Sequence, residues 1–177
     1  MKSLSKLTTA IIIALVVFFA TNLKAQTTPA NAWRMGIGFD SGLPTGNLTF
    51  SSKLVLGGTI DLQYGVTNNF AITLTSGADH FLSKINPVTN HVFDSFGVIP
   101  IKLGIKEFFA PNIYFGAQTG IAIEETDSGA GNTKFALVPA LGYANSHWDV
   151  SARYEHYSGQ GDPYGFVALR IAYGFAL

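Results

Sequence analysis

Between Trp148 and Tyr157 the chain alternates with a period of two. Asp149, Arg153 and Glu155 fall on one parity, and Trp148, Val150, Ala152 and Tyr154 on the other. Successive side chains of a β-strand point to opposite faces, so a strand here is charged on one face and apolar on the other. The pattern recurs in segment after segment to the C-terminus. A soluble sheet hides its apolar face against a second layer, whereas a transmembrane barrel turns that face to lipid and keeps its charges inside. Composition separates the two: only 12% of the 177 residues are charged, about half the share in an average soluble domain. With 19 glycines and 13% aromatic residues, the balance does not suit a surface that faces water on every side.

The N-terminus follows a different logic. Lys2 and Lys6 precede an apolar run from Ile11 to Ala20, and a small residue, Ala25, closes the stretch before Gln26. A basic start, a short apolar run and a small final residue describe a secretory signal peptide over residues 1–25. The run is shorter than the ~20 residues a membrane-spanning helix needs. Residues 26–32 then form a short lead and residues 33–177 one domain. Cleavage after Ala25 removes Lys2, Lys6 and Lys24, leaving 8 basic residues against 11 acidic ones, a net of −3. That balance gives no reason to expect nucleic acid. The sequence has no cysteine, which excludes a lipid-modified cysteine anchor and any disulfide staple.

Eight alternating segments follow, near 33–40, 54–65, 70–81, 96–108, 113–124, 134–143, 148–157 and 164–177. Val66–Asn69, Ala110–Asn112 and Ala144–His147 read as tight turns rich in Asn and Pro. Ser41–Lys53, Leu82–Ser95, Glu125–Thr133 and Ser158–Pro163 read as longer connections. Short and long links thus alternate, as in barrels with short periplasmic turns and longer extracellular loops. A soluble lipocalin-like barrel has no physical reason for that rhythm. Most segments reach the ~9–11 residues that cross a bilayer at a tilt of about 45°. The fold class expected is an all-β, eight-stranded, antiparallel, up-and-down transmembrane β-barrel, closed so that no edge is left unpaired in lipid.

Parity assigns the faces. Arg34, Asp40, Asp61, Asp79, Lys102, Lys106, Glu124, Lys134, Asp149, Arg153, Glu155 and Arg170 all fall on the inward parity. A Lys or Arg on the lipid side near the midplane would cost about 2–4 kcal/mol. Glu107 takes the outward parity, but beside a short turn. An eight-stranded barrel has an interior just wide enough for side chains to fill, so six cations and six anions between glycines predict a salt-bridged, largely closed lumen. A narrow pore is the alternative, and solubility without detergent would mark a soluble ligand-binding barrel. Trp33, Tyr64, Phe70, Tyr143, Trp148, Tyr173 and Phe175 gather by the short turns or the termini, as an aromatic girdle does. Pro100 and Pro139 stand inside strands, where each removes a ladder hydrogen bond; a bulge or kink is expected at each.

Several runs resemble the small outer-membrane β-barrel domain proteins of Gram-negative bacteria. They are Gly36-Ile37-Gly38-Phe39 with Gly42-Leu43-Pro44-Thr45-Gly46, Pro100 to Lys106 with Phe108 to Asn112, and the closing Leu169 to Phe175. The resemblance covers the whole chain after the leader. It implies residence in the outer membrane among its lipid and lipopolysaccharide, and insertion by the barrel-assembly machinery, which reads an aromatic residue at the end of the last strand. Here the chain ends in Leu177, with Phe175 two residues earlier. What the extracellular loops meet is not implied.

One segment carries candidate chemistry. His156 and Ser158 share the outward face near the outer end of their strand, so a base and a nucleophile could meet there. The run resembles the His-x-Ser motif of lipid A deacylases, which implies Ser158 as nucleophile and His156 as base in a lipid esterase. The motif continues with Asn where this chain has Gly159, and the following strand carries Arg170 and no acid. A triad lacking its third member is a weak case, so no catalytic residue is assigned. No metal-ligand spacing appears around His80, His91 or His147, and no cofactor motif is present.

Overall fold

Alternation of apolar and polar residues leaves each strand with a face that water does not solvate. A computed structural model resolves that demand by closing the sheet on itself; it describes residues 28–85, 95–126 and 129–177. The leader predicted over residues 1–25, and His91, lie outside the described residues. The strands are β1 (Trp33–Thr45), β2 (Ser52–Gly65), β3 (Phe70–Ser83), β4 (Phe96–Ala110), β5 (Ile113–Thr126), β6 (Gly129–Ala144), β7 (Trp148–Gly159) and β8 (Tyr164–Ala176), with one short helix, α1 (Leu48–Ser51). Each strand pairs antiparallel with its sequence neighbour, and β1 pairs with β8 from Arg34↔Ala176 to Thr45↔Gly165. The result is the closed eight-stranded barrel the alternation calls for.

Most strands are longer than their hydropathy suggests, and most of the extra length is at the end away from the short turns. β1 runs on to Thr45 and β2 begins at Ser52, so the expected Ser41–Lys53 loop shrinks to a six-residue link containing α1. β5 and β6 approach to within two residues of each other, at Thr126 and Gly129. The strict short-and-long rhythm of the links is therefore not kept. The added residues of β1 are Ser41-Gly42-Leu43-Pro44-Thr45, whose Gly and Pro mask the alternation while the backbone ladder continues. At the other end Pro111 and Asn112 make a two-residue turn in which Asn112 takes φ 64°, a left-handed conformation that Asn tolerates.

Neither proline marks a bulge. The register shifts lie at Ser52/Leu54, Phe108/Ala110 and Ile123/Glu125. β3 and β4 keep one register on both sides of Pro100 but do not pair between Ser76↔Ile101 and Asp79↔Val98. β6 and β7 likewise skip the positions between Leu137↔His156 and Ala140↔Arg153, beside Pro139. Each proline still pairs on its other side, Pro100 with Ala122 and Pro139 with Ala117. A proline lacks the N–H for one of its two ladders, and the strand pair opens locally on that side. Ser76 spans the first gap, its Oγ donating to the Pro100 carbonyl at 3.1 Å.

Candidate functional site

The interior is built by one parity of every strand, and all twelve charged residues assigned to it are buried. They form three groups rather than one net. Nearest the short turns, Lys106 pairs with Asp149, whose Oδ1 accepts from the Tyr114 hydroxyl at 2.7 Å. Arg170 pairs with Asp61, donates from Nε to Thr59 Oγ1 at 3.0 Å, and sits 4.0 Å from Asp149. Arg34 belongs to this end and lies over Gly174. In the second group the Lys102 ammonium meets Glu155 Oε2 at 2.7 Å, and that oxygen also accepts from Tyr157 at 2.7 Å. Arg153 stands 3.5 Å from Glu155 and 3.8 Å from Asp40. Asp79 is buried beside them, with the Tyr157 hydroxyl 3.4 Å away. Third, at the opposite mouth, Lys134 faces Glu124 at 3.7 Å and donates to the carbonyls of Gln160 and Asp162.

Several of these bonds join strands that are not neighbours in the sheet. Lys102 and Lys106 on β4 each reach across to β7, and Arg170 on β8 reaches β2. They brace the lumen from wall to wall. Space for them comes from glycine: a Cβ at Gly36 would fall 2.6 Å from Asp61 Oδ1, and one at Gly38 2.9 Å from Arg170 Nε.

Above the first two ionic groups lies an aromatic layer that parity alone does not reveal. Phe81 stacks on Phe96 with centroids 4.5 Å apart, and meets Phe166 and Tyr164 edge-on at 5.5 and 5.7 Å. Tyr157 completes the layer at 5.4 Å from Tyr164, and Leu48 of α1, Val55 and Val98 join the same buried cluster. The signal was present in the sequence: Phe81 shares the parity of Asp79, Tyr157 that of Glu155, and Phe166 that of Arg170. At the short-turn mouth, Phe108 and Tyr114 pack with Ala144. There residues 28–32 of the lead are tied to β2: Gln63 Nε2 donates to Thr28 Oγ1 at 2.9 Å, and Asn31 N–H to the Gly65 carbonyl at 2.7 Å.

The outward parity is mostly apolar, with large exposed side chains from Trp33 through Phe175. Its short-turn edge carries aromatic pairs, Trp33 with Tyr64 at 4.8 Å, Trp148 with Tyr173 at 5.2 Å, and Tyr173 with Phe175 at 5.0 Å. Such a belt with an aromatic rim is suited to hydrocarbon between two headgroup regions. Glu107 sits at that rim and accepts from Asn69 Nδ2 at 2.7 Å.

His156 and Ser158 are half-buried on the outward face of β7. Among the described residues no hydrogen bond joins them and no carboxylate approaches His156. Its cross-strand neighbours are Leu137 and Gly165, Ser158 pairs with Phe135, and the Tyr154 ring stacks 6.2 Å from the imidazole. Glu155 is turned inward by strand alternation and is engaged by Lys102 and Tyr157. Gly159 takes φ 117°, a conformation in which the Asn of the deacylase motif would be strained. The parts of an esterase triad are not assembled. Among the described residues no three His, Asp or Glu side chains converge as metal ligands.

Comparison with known proteins places the fold. No family model matches the sequence, and no curated protein matches it. Among solved structures, the chain is similar to the attachment invasion locus protein Ail of Yersinia pestis. In its crystal structure the identity is 13%, the TM-score 0.56, and the match covers 82% of this chain and 99% of that one. In a phospholipid nanodisc the same protein gives 12% identity and a TM-score of 0.59 over the same shares. The outer membrane protein OprG of Pseudomonas aeruginosa matches at 9% identity and a TM-score of 0.53, covering 87% of this chain and 99% of that one. The fold shared is that of small eight-stranded outer-membrane barrels.

Proposed function

We propose that this chain is a small outer-membrane barrel of Gram-negative type that neither conducts nor catalyses, and that acts through the surfaces it offers to lipid and to the cell exterior. One observation carries the reading: an apolar belt encloses a lumen filled by ionic groups braced across it, with an aromatic layer above. Water and ions need a continuous path, and side chains that bond across an eight-stranded interior leave little section for one. In this reading residues 1–25 are cleaved on export and the short turns face the periplasm. The four links at the far end are the groups displayed outside.

The test is planar-bilayer recording on the refolded protein, with folding checked in the same sample by heat-modifiable gel mobility. A folded barrel without stepwise conductance is expected. Reproducible unitary steps from folded protein would overturn the closed-lumen reading. Membrane fractionation of an expressing cell, with the mature mass starting at Gln26, tests the location.

A further inference from the structure

Among the described residues the exposed charges are not spread evenly around the barrel's outer rim. Among the described residues Lys53 and Lys84 are the exposed Lys and Arg side chains, and they lie together on adjoining ends of β2 and β3. The exposed acids Glu125 and Asp162 stand on the other side, at β5 and in the β7–β8 link. The local fold is shaped to make this pair. The register shift between Ser52 and Leu54 leaves Lys53 as an extra residue turned outward, as a bulge re-aims a side chain. The Lys84 N–H donates to the Ser51 carbonyl at 2.7 Å, and its ammonium donates to the Thr49 carbonyl at 2.7 Å, which holds the charge against α1. Beside Thr49, Phe50 is 74% exposed, and Ile85 next to Lys84 is exposed as well.

The height of this cluster decides what it meets. Tyr64 in the aromatic rim lies eleven positions along β2 from Lys53. At a rise of about 3.3 Å per residue and a tilt of about 45°, that is about 26 Å along the barrel axis. The apolar band of an outer-membrane barrel is about 25 Å tall. Lys53 and Lys84 therefore stand at the headgroup level of the opposite leaflet. Leu54, Leu82 and Leu56 lie directly beneath them on the outward face, and the Gly58↔Ala78 pair below leaves the wall shallow. A Cβ at Gly58 would touch nothing within 4 Å.

We propose that the β2–β3 rim is a docking site for a phosphorylated lipid of the outer leaflet: Lys53 and Lys84 meet its phosphate, Phe50 and Ile85 lie among its headgroup, and its acyl chains run down Leu54, Leu82 and the Gly58–Ala78 depression. The proposal rests on the reading that the end away from the short turns faces the cell exterior. Lys84 uses one N–H on Thr49 and keeps two for a phosphate. A neutral lipid would offer neither ammonium group an anionic partner, while the described acids at β5 and the β7–β8 link would repel a phosphorylated lipid from the other side of the barrel.

The experiment is native mass spectrometry of the protein released from phosphatidylcholine nanodiscs doped with diphosphorylated lipid A, beside nanodiscs doped with its dephosphorylated form. Wild type should retain diphosphorylated lipid A and release the dephosphorylated form. The K53Q/K84Q double variant should retain about thirtyfold less, at roughly fivefold for each lysine near a membrane surface. K53R/K84R should retain it as wild type does, and Glu125→Gln should not weaken it. Equal retention by K53Q/K84Q, or equal retention of the dephosphorylated lipid, would overturn the site while leaving the membrane reading intact. Failure of wild type to enter the nanodisc as a heat-modifiable barrel would overturn the membrane reading, and the site with it.

Discussion

Replacing Glu155 by Gln should destabilise the barrel more than replacing Lys102 by Met. Glu155 and Lys102 are 2% and 0% exposed, and the carboxylate engages Lys102 at 2.7 Å, the Tyr157 hydroxyl at 2.7 Å and Arg153 at 3.5 Å. In Glu155→Gln, Arg153 keeps Asp40 at 3.8 Å, but no other carboxylate lies within 4 Å of the Lys102 ammonium among the described residues. Removing one partner of a buried pair costs about 3–5 kcal/mol, because the other charge stays desolvated and uncompensated. Lys102→Met is the milder change, since Glu155 retains Tyr157 and Arg153; the loss is that of one charged hydrogen bond, about 1.5–3 kcal/mol. The double variant removes the stranded ammonium as well, so it should lie closer to Lys102→Met than to the sum of the two, with a coupling of about 2–3 kcal/mol. Urea unfolding in lipid vesicles, followed by fluorescence of Trp33 and Trp148 and by gel mobility, measures all four corners. Additivity within about 0.5 kcal/mol, or a Glu155→Gln cost below 1 kcal/mol, would refute the bracing role of this pair.

Two further outcomes follow from the packing. Phe81→Ala removes the ring on which Phe96, Tyr164 and Phe166 converge; it should cost about 3–5 kcal/mol by the same unfolding assay, and an unchanged midpoint would show the layer to be dispensable. Pro139→Val returns an N–H to the side of β6 that faces β7, so hydrogen exchange at residues 138, 154 and 155 should slow, whereas unchanged exchange would mean that the gap there has a cause other than the proline.

Parity could tell which way a residue points but not whom it meets. The three charges of β7 name a single inward face, because one register must satisfy Asp149, Arg153 and Glu155 together and a cation in lipid is costly. Their partners depend on which strands face each other across the closed sheet. Lys102 and Glu155 are 53 residues apart and belong to non-adjacent strands, a relation fixed by barrel closure that no local pattern encodes. The aromatic layer is illegible for a related reason: Phe81 and Phe166 obey the inward parity, but an apolar residue there looks like noise among charges until all strand ends converge at one height. Lys134 shows the limit most plainly. Its inward parity is correct, yet it serves the β7–β8 link by bonding the carbonyls of Gln160 and Asp162, within a turn set by positive φ at Gly159 and Gly161. Side-chain period reports the solvent on each side of a strand. Where turn-type residues or a bulge interrupt it, as from Ser41 to Thr45 and at Lys53, the period falls silent although the strand goes on. The outer rim, with Lys53 and Lys84 on one side and Glu125 and Asp162 on the other, therefore becomes visible only once the closed sheet sets those residues around a single circumference.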